Sequence, residues 1–173
     1  MRPNHSRFLL LILVTLCIGI TYGQDDDRSF GERLRFGGDV IASFGTVTAL
    51  GASPFVGYEV SERYIPGIGG TYIYLSANGI EQHQYGVRNF HRFLVTEELF
   101  VHGEFEYLSF RVNTSNDVGG QTLSAPAILL GGGYRQPLGE NSFFIMSVLY
   151  DVLEDPNSPY SGPIIRGGVS IGR

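Results

Sequence analysis

The sequence predicts an all-β fold: an eight-stranded antiparallel up-and-down transmembrane β-barrel, preceded by a cleaved signal peptide. Three observations predict it. From Arg33 onward, apolar and polar residues alternate in segments roughly ten residues long, the pattern of strands with one greasy and one polar face. The connections between segments are in turn tight and long, which places short loops on one rim and long loops on the other. A charged start followed by an apolar run stands ahead of all of them.

The elements follow in order. In MRPNHSRFLLLILVTLCIGITYG, Arg2 and Arg7 precede an apolar run from Phe8 to Ile20, and the small residue Gly23 stands at the expected cleavage point. That run suits a secretory signal peptide over residues 1–23 and is too short for a spanning helix. A lipid anchor would require a small residue before Cys17, where Leu16 stands. The stretch QDDDRSFGE, residues 24–32, has no periodicity and is expected to be a flexible acidic N-terminal extension. The barrel domain is expected over 33–173.

Its first strand is RLRFGGDVIASF, with Leu34, Phe36, Val40, Ala42 and Phe44 on one side and Arg33, Arg35, Asp39 and Ser43 on the other. A bend near Gly45 leads to TALGASPFVGYEV, and Ser61-Glu62-Arg63 turns into YIPGIGGTYIYL. The remaining strands are YGVRNFHRFLV, LFVHGEFEYLSFR, LSAPAILLGGGY, SFFIMSVLYD and PIIRGGVSIGR. Tight turns are expected at 96–98 and 135–140, and long polar connections at 76–84, 112–122 and 151–162. Proline gives a ladder no N–H, so Pro126 and Pro163 are expected at strand starts and Pro54 or Pro66 at a bulge.

Composition narrows the function classes. The 12 basic residues are all arginine. Without Arg2 and Arg7, 10 arginines oppose 17 acids, a net charge of −7 that offers no basic face for nucleic acid. Arginine without lysine points to fixed ion pairs, because its planar fork suits a desolvated carboxylate. Cys17 is the only cysteine and leaves with the signal, so no disulfide or thiolate metal site is expected. The 24 glycines argue against long helices and suit a tightly curved sheet.

The polar faces supply the candidate site. His102, Glu104 and Glu106 alternate along VHGEFEYL and share one face. They could ligate a metal, but a salt-bridge lattice explains them more simply. If Val95 lies opposite Leu99 across the 96–98 turn, Arg92 faces His102 and Arg88 faces Glu106, with Glu104 diagonal to both arginines. Closing the sheet brings the last strand to the first, with Arg166 near Asp39 and Arg35 below. The expected lumen network is therefore Arg35, Asp39, Arg88, Arg92, His102, Glu104, Glu106 and Arg166. No catalytic, cofactor-binding or metal-binding residue is expected: Ser109 falls on the opposite face from His102, and Gly131-Gly132-Gly133 lacks the Lys and helix that a phosphate loop needs. Aromatics such as Tyr64, Tyr72, Tyr85, Phe93, Tyr107 and Phe110 are expected in girdles at the two membrane interfaces.

FGGDVIASFG, the strand pair SPFVGYEVSERYIPGIGGTYIY, the hairpin FLVTEELFVHGEFEYL and the closing PIIRGGVSIG together resemble the small outer-membrane β-barrel proteins of the Bacteroidota, a branch of the OmpA/OmpX-like eight-stranded family. The likeness spans nearly the whole chain after the signal. It implies an outer-membrane location and often no known activity. The chain departs from the family in ending on Arg173 where an aromatic residue is usual.

The expected function is thus a non-enzymatic outer-membrane protein with a structural or loop-mediated interaction role and a lumen packed with ion pairs. Its expected partners are outer-membrane lipid, the outer-membrane assembly machinery and an extracellular ligand on the long loops, with the barrel itself a monomer. No cofactor is expected. The rival is a secreted soluble barrel, lipocalin-like, carrying a small hydrophobic ligand. Alternation alone does not separate the two, because it leaves open which face turns inward.

Overall fold

The computed structural model describes residues 28–43, 48–77, 80–112 and 121–172. Eight antiparallel strands close on themselves: β1 (Leu34–Ser43), β2 (Thr48–Tyr58), β3 (Tyr64–Ala77), β4 (Ile80–Leu94), β5 (Leu99–Val112), β6 (Gln121–Pro137), β7 (Ser142–Asp151) and β8 (Ile164–Gly172). Each strand pairs with its neighbours in sequence, and β8 pairs with β1, so no edge runs the full height of the wall. The expected signal segment, residues 24–27 of the expected extension, Phe44, the bend near Gly45, Arg173 and residues 113–120 of the expected 112–122 connection lie outside the described residues. Val112, Gln121 and Thr122, expected in that connection, belong to the β5–β6 ladder.

The side-chain alternation determines which way each strand faces. Arg35, Asp39, Ser53, Thr71, Arg88, Arg92, His102, Glu104, Glu106, Ser147, Arg166 and Ser170 are buried inside. Phe36, Val40, Leu50, Val56, Ile68, Val87, Val101, Leu130, Val148 and Ile171 point outward and are exposed. A soluble carrier barrel needs the reverse, an apolar lumen beneath a polar coat. A wall greasy outside and charged within suits hydrocarbon as its solvent, and the soluble lipocalin-like alternative fails on this polarity.

Strand length is uneven. β1, β2, β7 and β8 have 9 to 11 residues, about what a tilted strand needs to cross hydrocarbon. β3 to β6 have 14 to 17 and outlast them at the long-loop end. The expected long connection at 76–84 is therefore corrected. The ladder continues to Ala77↔Ile80, and Gln82 and Gln84 belong to β4. Gln84 is buried on the inward face with Arg88 and Arg92, where a polar side chain suits a strand as well as a loop.

The short rim is tightly built. Ser61 bridges Tyr64, and Val95 N–H donates to Leu99 O at 2.8 Å while Thr96 Oγ1 accepts from Leu99 N–H at 2.9 Å. β6 runs on to Pro137, so the turn expected at 135–140 is confined to 138–141. On the same rim Arg28, in the expected extension, bonds Glu59 at 2.6 Å.

The prolines depart from expectation. The register is unshifted across Pro54 and Pro66, so neither marks a bulge. At Pro54 the ladder with β3 lapses between Ala52↔Tyr72 and Phe55↔Gly69, and Ser53 Oγ donates to Gly70 O at 2.7 Å, satisfying that carbonyl from a side chain. Pro126 lies within β6 and not at its start, opposite Tyr107 of β5. Pro163 stands just before β8. Among the aromatics, Phe110 is buried inside the barrel rather than in a girdle, because it shares its face with Glu104 and Glu106 at even spacing.

This topology carries an expected result. Protease added to intact cells should cut the exposed part of the β7–β8 connection, 152–157. The turns at 59–63 and 95–98 should stay protected. Cleavage confined to the short turns would invert the orientation.

Candidate functional site: a charged layer inside the barrel

The lumen is stratified. Toward the short turns, Ile65, Leu94, Phe100 and Ile145 form an apolar layer, with Phe143 against it. Toward the long loops, Ile41, Ile73, Leu75, Leu108, Leu129, Leu149 and Ile164 form a second. Between them lies the charged layer, set there by residues that alternate along β1, β4, β5 and β8.

Glu104 is its hub. Its Oε2 accepts from Arg88 Nη1 at 3.0 Å and Arg166 Nη1 at 2.8 Å, and lies 3.1 Å from His102 Nε2. Arg88 Nη2 donates onward to Asp39 Oδ2 at 2.7 Å and to Ser53 O at 3.2 Å. Arg166 Nη2 lies 3.8 Å from Glu106 Oε2. Glu106 in turn accepts from Thr71 Oγ1 and from Tyr160 Oη, the latter at 2.6 Å. A chain of alternating charge thus crosses the lumen from Asp39 through Arg88, Glu104 and Arg166 to Glu106. Removing such groups from water costs several kcal/mol each, which this mutual pairing offsets.

Tyr160 comes from the connection between β7 and β8 and is buried within the upper apolar layer. Burial first, and the Glu106 carboxylate second, hold its phenol well above its ordinary pKa, so it stays protonated and donates. Asp151 accepts from Ser158 Oγ at 2.8 Å, folding the same connection down onto the mouth.

The sequence-predicted residues are all inside, but not all together. Arg166 lies opposite Ile41 and pairs across the lumen with Glu104; Asp39, its expected neighbour, bonds Arg88 instead. Arg35 belongs to a separate group on the short rim, bonding Glu59 Oε1 at 2.7 Å and Asn141 O at 3.1 Å. Arg92 lies opposite His102 in register, yet among the described residues no carboxylate lies within ion-pair distance of it. Its guanidinium instead sits 4.7 Å from the Phe100 ring centroid and 5.4 Å from that of Phe90. His102 stacks on Phe90, with centroids 5.6 Å apart.

Sequence reasoning missed Glu59, Thr71, Ser53 and Tyr160. The first three were within reach of it, since Ser53, Thr71 and Glu59 fall on the inward face of their strands or just past its end. Tyr160 sits in PNSPYSGP, where no period tells a plug from a loop. The arrangement pairs Arg88 and Arg166 with Asp39, Glu104 and Glu106, and these contacts hold the strands of the wall to one another across the lumen.

No family model matches the sequence, and no curated protein matches it. Among solved structures, the Yersinia pestis outer membrane protein Ail, in a phospholipid bilayer nanodisc, aligns with a TM-score of 0.50 at 13% identity, covering 80% of this chain and 97% of that one. The N-terminal β-barrel domain of Pseudomonas aeruginosa OprF aligns with a TM-score of 0.48 at 13% identity, over 83% and 99%. The likeness to Ail is one of fold, and the chain has the closed, antiparallel, eight-stranded architecture of a small outer-membrane barrel.

Proposed function

We propose that the chain is a non-enzymatic outer-membrane protein of the Bacteroidota type that its sequence resembles. It is exported behind residues 1–23 and inserted by the outer-membrane assembly machinery. Its closed barrel is a scaffold, and recognition of an extracellular ligand falls to its outer loops. The observation that carries this reading is the inverted polarity, an apolar exterior around a lumen of buried ion pairs. The two apolar layers add a second argument. A conducting pore needs continuous water, whereas here the charged layer lies between two layers of packed apolar side chains and eight strands leave room for little beyond side chains.

The reading is tested in two steps. The mature protein should fractionate with outer membranes, require detergent for extraction, and migrate differently on gels before and after boiling. Recovery as a soluble monomer without detergent would refute it. In planar bilayers the same protein is expected to show no stable conductance, and liposomes bearing it should not swell in small sugars. Reproducible single-channel steps abolished by Glu104→Ala would make the protein a narrow channel instead.

A further inference from the structure

Hydrocarbon offers a polar side chain nothing, so polar groups on the outer wall need a reason. The outer face of β3 and β4 carries them. Asn89 is exposed and lies on β4 midway between the outward aromatics Phe93 and Tyr85, which pair with Tyr64 and Tyr72 of β3. Four tilted residues from either aromatic is about 9 Å of depth, well inside the apolar belt. At that depth no lipid headgroup reaches it.

Its neighbours hold it in one orientation. Tyr64 Oη lies 2.7 Å from His91 Nδ1, His91 Nε2 lies 3.0 Å from Asn89 Oδ1, and Asn89 Nδ2 donates to Gly67 O at 3.2 Å. With the tyrosine donating, His91 carries its proton on Nε2 and donates to the amide oxygen. The relay uses one amide N–H and one lone pair, and leaves Asn89 with a second N–H and a second lone pair.

Beside the amide runs an outward groove of roughly 790 Å³, bordered by Phe36, Pro54, Val56, Ile68, Val87 and Phe105, with Asn89 in its lining. Ile68 and Val87 stand up from the wall, each 65% exposed. Between them and Pro54 the wall drops to Gly70. A Cβ there would meet only Gly86 O at 3.9 Å, so the fold does not itself require glycine at this point.

We propose that this face of β1 to β5 is the interface of a homodimer, a second copy of the chain being its occupant. A carboxamide is donor and acceptor at once, so two copies related by a twofold axis can join Asn89 to Asn89 reciprocally. Ile68 and Val87 of one copy then seat against the Gly70 notch of the other, the close approach that small residues permit between elements in a membrane. The proposal departs from the sequence-based expectation of a monomer, because alternation shows that position 89 faces outward but not how deep it lies.

The proposal rests on the membrane-spanning reading, and its test separates the two. Single cysteines are placed at Val87 or, on the opposite wall, at Val148, in a Cys17→Ser background, and oxidised in native membranes. Val87→Cys is expected to give a disulfide-linked dimer and Val148→Cys none. Native mass spectrometry from detergent should show dimers. Asn89→Leu should lower the dimer fraction on the order of tenfold and Asn89→Gln should restore part of it, with heat-modifiable mobility unchanged throughout. A membrane-extracted, heat-modifiable wild type that is monomeric and does not crosslink overturns the dimer and leaves the membrane reading intact. So does crosslinking unaffected by Asn89→Leu, or a monomer carrying a lipid that Asn89→Leu releases. Recovery without detergent overturns both.

Discussion

Glu104→Ala is expected to destabilise the barrel by about 3–5 kcal/mol, among the largest effects of any single truncation in the lumen. The carboxylate holds Arg88 at 3.0 Å and Arg166 at 2.8 Å, and the hub itself is 3% exposed. Removing it leaves two guanidiniums facing each other in an interior that water reaches poorly. Arg88 keeps Asp39, but Arg166 keeps only Glu106 at 3.8 Å. The penalty is therefore mostly that of stranded charge, and deleting a partner as well should return part of it. The cycle of Glu104→Ala with Arg166→Ala should show a coupling of about 1–3 kcal/mol in denaturant titrations of detergent-solubilised protein. The parallel cycle with Arg92→Ala should be nearly additive, since Arg92 lies against Phe100 and Phe90 and not against a carboxylate. Additivity with Arg166 would remove the hub; strong coupling with Arg92 would return the pairing to the arrangement that strand register alone predicts.

Gly131→Val is expected to cost about 3 kcal/mol or more, and to lower the yield of heat-modifiable barrel. Gly131 faces inward between His102 and Leu149 in register. A Cβ built there would collide with the backbone oxygen of Val148 and come within 2.9 Å of Leu149 Cα. Both are main-chain atoms, so accommodation would require β6 and β7 to part. Gly167→Val is the matched control, an outward position where nothing lies within 4 Å, and its effect should stay within about 0.5 kcal/mol. Equal losses at the two positions would show that intrinsic strand preference, rather than wall contact, sets the tolerance.

What could be read from the residues, and what could not, divides along one physical line. A period of two assigns each side chain to a face, so the strands from Leu34 to Gly172 and the inward set around Glu104 were legible. Hairpin arithmetic also gave Arg92 opposite His102 and Arg88 opposite Glu106. Partners across the lumen obey a different rule. Followed once around the wall, the pairing offsets return to β1 about ten residues from where they began. Residues level along the axis are therefore not those adjacent in the ladder, which is why Arg166 reaches Glu104 of β5 while Asp39 turns to Arg88. Arg92 was misjudged for another reason: the rings around it offer a guanidinium a face that counting carboxylates overlooks. Tyr160 was invisible because plugging a mouth leaves no trace in a loop's composition.

The uneven wall has a consequence for self-association by strand addition. The ladder between β6 and β7 begins at Leu129↔Asp151, so, among the described residues, 121–127 of β6 have a strand partner only on the β5 side. Such a bare margin is a template on which another chain's strand can grow. Its lower end is occupied: Ile128 O accepts from Val152 N–H at 2.8 Å, and Ile128 N–H donates to Asp151 Oδ1 at 3.3 Å. Main-chain groups point the same way at every second residue of a strand, so Pro126 aims its missing donor along the same bare margin. The imino acid thus breaks no bond with β5 and denies an incoming strand the hydrogen it would need. Where the barrel's own pairing gives out, proline guards the edge.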